Sequence, residues 1–254
     1  MPTVRTLLAI TSLLAAVGCA PPMRVAPGLA GVRVHVRATP KAGYVPPSED
    51  VVVDSYGRVD MLAPDVPATG PFAHYDYRAL DGVVVALNPA ATTPSVRPPP
   101  VSTVTISPQS GDGAAASVTG MSIFAASVGG TLTVRNGSST AESVYSVSPG
   151  NRFDLGTIAP GASASHTLTA AGIVEVLADS RDAPLACVYV APTPWVSIAR
   201  AGSRVDFPDV PPGRCVATAW HPRLPGMERT LELVADRATE TTLTISVNAL
   251  PKAR

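Results

Sequence analysis

Twenty-seven prolines and twenty glycines punctuate a chain of 254 residues, and their density is the strongest constraint on what it can fold into. Proline removes a backbone donor and clashes with the preceding helical turn, while glycine weakens the interior of either regular element. Long helices are excluded on that count, and short strands closed by turns remain. The segments between agree. GVRVHVR (31–37) alternates valine with polar residues, the pattern of a half-buried strand. DVVVD (50–54) and GVVVALNP (82–89) are β-branched runs closed by turn residues. Further strand-like runs follow in STVTIS, SIFAASVGGTLTVRN, ESVYSVSPGNRFDLG, HTLTA, GIVEVLAD and LACVYVAP, and again from SRVDFPDV to TETTLTISVN. Apolar alternation with turns about every 8 to 12 residues predicts an all-β chain of β-sandwich type, with no helix after residue 18. Residues 89–100, PAATTPSVRPPP, hold five prolines and read as a semi-rigid extended connection, neither helix nor central strand. GPFAHYDYR (70–78) concentrates aromatic rings in a chain that has few, either as a contact surface or as cover for the edge of a core.

Basic and acidic residues balance at 19 each, which argues against a nucleic-acid partner, whose phosphates require an excess of Lys and Arg. At the N-terminus, MPTVRTLLAITSLLAAVGC places one Arg before an apolar run from Leu7 to Val17. That run is too short to span a bilayer and suits the core of a signal peptide. Its end, Ala16-Val17-Gly18-Cys19, resembles a bacterial lipobox, in which small residues precede a cysteine that is diacylated and becomes the mature N-terminus. Leucine is commoner where Ala16 stands, and simple secretion with a chance cysteine is the alternative. The resemblance implies a lipoprotein signal peptide over 1–18, lipidation of Cys19, a tether over 19–30, and a cell-envelope location with the membrane reached through the lipid anchor. Cys187 and Cys215 then remain; they either form a disulfide in an oxidising envelope or stay as two buried thiols.

The order VGGTLTVRN, VYS, FDLG, GIVEVL and VYV between residues 123 and 191 resembles a cupredoxin domain of the methylamine-utilisation-like or plastocyanin-like kind. Members of that family carry a phrase like His-Asn-Val-Phe/Tyr-Ser and, later, Cys-x-x-His-x-x-Met. Blue copper needs this set because a thiolate and two imidazoles make the trigonal plane, with a thioether as weak axial ligand. Matched through VYS, the first His position is Glu142 and its Asn neighbour is Ser143. Matched through GIVEVL and VYV, the Cys position is Ala178, the second His is Arg181 and the Met is Pro184. All four copper ligands are absent, and Arg181, a permanent cation without a lone pair, repels a metal ion. The expectation is no metal and no cofactor, with Glu142 pairing Arg181 as a polar clasp between two loops.

Residues 192–247 resemble the second half of a carboxypeptidase-regulatory-like domain, a transthyretin-like β-sandwich, through Val210-Pro211-Pro212-Gly213 and Trp220-His221-Pro222. The usual Asp-Gly turn is blurred to Ala201-Gly202-Ser203, and Cys215 stands near the usual Tyr. The first half of such a domain ends in a strand like Gly82–Leu87, which implies that the cupredoxin-like part is inserted. The expected organisation is residues 31–88 as the first part of the regulatory-like sandwich, 89–101 as the Pro-rich linker, 102–191 as the cupredoxin-like domain and 192–249 as the second part.

Other chemistry is thinly represented. His35, His74, His166 and His221 show no metal-ligand spacing on a shared element. Gly161-Ala-Ser163-Ala-Ser165 lacks the last glycine of a nucleophile elbow. Asn136-Gly-Ser138 fits a glycosylation acceptor, but its composition equally makes a turn. The resemblances imply a non-enzymatic bacterial envelope lipoprotein with a copper-free cupredoxin-like module, in a binding or structural role toward an envelope protein or a cell-wall component. Two alternatives stay open: an envelope copper-handling protein using non-standard ligands, and an accessory module of a cell-wall- or polysaccharide-active system.

Overall fold

A computed structural model describes residues 23–40, 80–91, 102–106 (backbone only) and 122–246. The leader with Cys19, the runs DVVVD and GPFAHYDYR, His74 and most of the Pro-rich stretch lie outside the described residues. The chain is all-β: the described residues form fifteen strands and no helix.

Seven strands enclose the first core. Strand β1 (Ala30–Thr39) pairs antiparallel with β12 (Arg204–Val210) and parallel with β15 (Ala238–Ser246). Opposite lies a sheet in the order β11 (Val196–Ala199), β2 (Val83–Pro89), β13 (Gly213–His221), β14 (Leu224–Leu233). Alternation decides what faces inward. Val32, Val34 and Val36 of β1 meet Val83, Val85 and Leu87 of β2, Ala217 and Ala219 of β13, and Phe207, Leu243 and Ile245. Each Val, Leu, Ile or Phe side chain among them, taken fully from water, contributes about 1.5–3 kcal/mol before entropy is charged against it. β2 runs one residue into the stretch expected to be linker. Pro89 stands opposite Cys215 at its end, where a missing N–H is tolerated, and Ala90 N donates to Arg214 O at 2.8 Å.

After β2 the chain builds β3 (Ser102–Ile106) to β10 (Ala186–Ala191), and it then returns through β11. One sheet runs β4 (Ser122–Ser127), β10, β9 (Gly172–Ala178), β6 (Glu142–Ser146), β7 (Phe153–Ile158). The other runs β3, β5 (Thr131–Asn136), β8 (Ser163–Thr167). β8 starts three residues ahead of the expected HTLTA run, because its serines pair with β5, Ser165 Oγ lying 2.9 Å from Thr133 Oγ1. A second core fills the space between these sheets, from Leu132, Val134, Val144, Phe153, Val174, Val176, Val188 and Val190.

A third, smaller apolar layer joins the two sandwiches. Val84 and Ala86 of β2 point away from the first core and meet Ala191 and Val196, with Ile123, Ala125, Tyr189 and Trp220 packed against them. The Tyr189 and Trp220 rings lie 5.3 Å apart between centroids. This explains two runs that do not alternate, VVVAL and ACVYVA. Their strands are covered on both faces, so every position is apolar or small.

Candidate functional site

The fold brings Glu142 beside the loop that follows Ala178. β6 and β9 are neighbours, with Val144 opposite Ala178, and Asp179 N donates to Ser143 O at 3.2 Å. That pairing lays the start of β6, where Glu142 sits, against the loop from Asp179 to Pro184 that follows β9. Arg181 N donates to Ala178 O at 3.1 Å, and Leu185 N donates to Val176 O at 2.8 Å, so the loop is closed tightly at both ends.

What the four positions offer is not a ligand set. The Ala178 methyl is buried in the second core. Glu142 is only 7% exposed, and its carboxylate accepts a hydrogen bond from Ser180 Oγ and a long one from Thr140 Oγ1 at 3.5 Å. Strand and loop are therefore joined at Glu142, but by the Ser180 hydroxyl, a donor other than the Arg181 guanidinium that the sequence suggested. Ser180 lies beside Arg181 in a turn, and only the register of β6 against β9 shows that its hydroxyl reaches Glu142. Arg181 and Pro184 are half-buried. A methyl, a guanidinium and a pyrrolidine ring have no lone pair to give, so the residues present do not fit copper. Among the described residues no group of three or more His, Cys, Asp or Glu is placed to hold a metal ion.

The loop carrying Glu142 is held by Asn136, whose side chain is wholly buried. Its Nδ2 donates to Thr140 O (2.7 Å) and Ile158 O (2.8 Å), and its Oδ1 accepts from Ser138 N (2.9 Å) and Ser138 Oγ (2.7 Å). Both amide hydrogens are thus engaged, and the Asn-Gly-Ser sequence is a turn staple with no room for a glycan. Asn151 does the same near the other end of β7, accepting from Thr169 N at 2.8 Å and donating to Ala170 O at 2.7 Å.

The remaining candidates separate. Cys187 and Cys215 are free, which corrects the disulfide alternative. They sit on β10 and β13, one in each sandwich, and Cys215 faces the first core. Burial raises both thiols to about 11, with the Glu175 charge adding to the effect at Cys187. His166 stacks near Phe153 at 4.6 Å. His35 Nε2 lies 3.8 Å from Glu240 Oε2. His221 is buried, its Nδ1 accepting from Arg223 N at 3.2 Å while Nε2 has no partner. Burial first, and the Arg223 charge second, lower it to about 4. Ser163 and Ser165 lie along β8 rather than on a strand-to-helix turn.

One charged group is buried on a sheet's outer face. Arg33, 8% exposed, lies between β12 and β15, donating to both Asp206 oxygens at 2.9 and 3.0 Å and to Glu240 Oε1 at 3.1 Å. The paired hydrogen bonds from Arg33 hold the Asp206 carboxyl below its ordinary range.

No family model matches the sequence, and no curated protein matches it. Among solved structures the chain is similar to a purple cupredoxin from Nitrosopumilus maritimus, at 17% identity over 35% of this chain and 99% of that one, with a TM-score of 0.27. It is also similar to a mutant of amicyanin, Cu(I), at 19% identity over 43% of this chain and 99% of that one, again with a TM-score of 0.27.

Proposed function

We propose that this is a non-enzymatic bacterial envelope lipoprotein. In this reading residues 123–191 are a cupredoxin-like module without copper, carried on a regulatory-like sandwich and displaying a rigid β surface to an envelope protein or a cell-wall component. The observation that supports the copper-free part of the reading is the Glu142–Ser180 hydrogen bond, which joins strand and loop beside the buried Ala178 methyl. A site built for electron transfer would instead leave thiolate and imidazole lone pairs facing one point.

Metal analysis and absorbance after copper loading test the copper-free part. The wild-type protein is expected to show no intense thiolate-to-copper band and no stoichiometric copper. The combined variant Glu142→His, Ala178→Cys, Arg181→His and Pro184→Met is expected to gain the band. A blue wild-type protein defeats the reading, and a folded but colourless variant defeats the assignment of the four positions. Cross-linking in the native envelope, followed by identification of what is captured, tests the binding role.

A further inference from the structure

The segment that joins the anchor to the sandwich is itself fixed. Within the expected tether, Ala26-Pro27-Gly28-Leu29 makes a turn, with Leu29 N donating to Ala26 O at 3.1 Å and Gly28 at φ 78°. A type II turn requires positive φ at its third place, which glycine supplies, and favours proline at its second. Two aspartates grip this turn from different loops. Asp209 Oδ1 accepts from Ala26 N at 2.7 Å, and Asp236 Oδ1 accepts from Gly28 N at 2.8 Å. Both have positive φ, 60° and 61°, and no other non-glycine residue among those described does. Asp236 N and Gly31 N add backbone bonds to Leu29 O (2.6 Å) and Arg237 O (2.9 Å). Behind the turn, Met23 and Val25 lie over Gly31 so closely that a Cβ there would stand 2.5 Å from Met23 Sδ and 2.9 Å from Val25 Cγ2.

We infer that this clamp sets the protein's orientation on a phospholipid bilayer, with the sandwich end that carries the Asp209 and Asp236 loops facing the membrane. The inference rests on lipidation of Cys19, as proposed above. Met23 is four residues from Cys19, and four residues reach at most about 14 Å. Because residues 23–29 are held against the sandwich, that short reach is all the freedom the anchor has. The same end carries Val234, 54% exposed, in the turn between β14 and β15. Arg24, Arg214 and Arg237 are exposed there, offset by Asp209, Asp236 and Glu232. With charge balanced, tether length rather than attraction to anionic lipid sets the pose. The hairpin at Arg223 stands at the other end of β14, ten residues and about 30 Å away.

The test uses the acylated protein reconstituted into phosphatidylcholine–phosphatidylglycerol vesicles carrying a headgroup quencher. A fluorophore is placed on Val234→Cys or on Arg223→Cys; the native thiols are buried and do not compete. Several-fold stronger quenching at position 234 is expected, and the difference should shrink when Asp209→Gly and Asp236→Gly are combined. Glycine takes the positive φ without strain, so only the side-chain acceptors are lost. Equal quenching at the two positions overturns the inference, as does a difference that the double variant leaves intact. Failure of the anchor is read separately. Mass spectrometry showing an unacylated Cys19 defeats the lipid reading and the membrane-facing end together. Amide exchange at Ala26 and Gly28 in the Cys19→Ser protein tests the clamp alone, with protection expected to fall about fivefold in the double variant, the factor for one ordinary hydrogen bond.

Discussion

Replacing Asn136 by alanine should loosen the loop that delivers Glu142, and the structure gives the size of the effect. Four hydrogen bonds converge on the Asn136 amide, and the side chain is wholly buried. Two of the four have a substitute, because the single proton of the Ser138 hydroxyl, which lies 2.8 Å from Thr140 O as well, can turn to that carbonyl and serve both groups. The contacts to Ile158 O and Ser138 N do not. Two lost bonds at about 1 kcal/mol each, with some desolvation left uncompensated, give a destabilisation of about 2–3 kcal/mol. Urea denaturation followed by far-UV circular dichroism measures it as a lower midpoint at unchanged slope. Asn136→Asp provides the control for direction. It keeps the acceptor that Ser138 uses but turns the two donors into an oxygen facing two carbonyls, so it should be worse than alanine at pH 7. At a pH where the carboxyl is protonated, part of the loss should return. An Asn136→Ala protein within about 0.5 kcal/mol of wild type refutes the staple, since that is the range of a neutral surface change.

Stability should fall with acid in two successive windows. His221 is held near 4 in the folded protein against about 6.5 unfolded, so the unfolded chain binds the extra proton, and about 3 kcal/mol drains away as pH drops from 6.5 to 4. His221→Gln should flatten that stretch of a stability–pH profile, and an unchanged slope counts against it. Asp206 is depressed by Arg33, so its contribution is complete above the unfolded value of about 3.9 and is lost as pH falls through the lower folded value; Asp206→Asn should remove that acid limb. Cys187 and Cys215 should ignore a thiol reagent at pH 8 until denaturant is added, and labelling of either in the native protein within minutes would contradict their burial. Trp220→Ala strips the layer between the sandwiches of its aromatic pair and should destabilise by about 2–4 kcal/mol, most visibly as separate unfolding of the two halves by calorimetry; one unshifted transition would show that the layer carries no coupling.

What the sequence determined alone was periodicity. The alternation in GVRVHVR places Val32, Val34 and Val36 in the first core, and the proline and glycine spacing marks where strands must end. These are local properties, set by the geometry of one strand and by backbone sterics. That Ala178, Arg181 and Pro184 offer no thiolate, imidazole or thioether is legible too, because it depends on residue identity and holds wherever they lie. Only the tertiary structure decided the partners. Ser180 reaches Glu142 through the register of β6 against β9, and the two cysteines stay apart because their strands belong to different cores. Asp209 and Asp236 are ordinary turn residues in the sequence, yet the folding of two distant loops against the entry to β1 makes them a clamp. A hydrogen bond works over about 3 Å, whereas these residues stand some two hundred positions from the amides they hold, and a one-dimensional pattern carries no record of that closure.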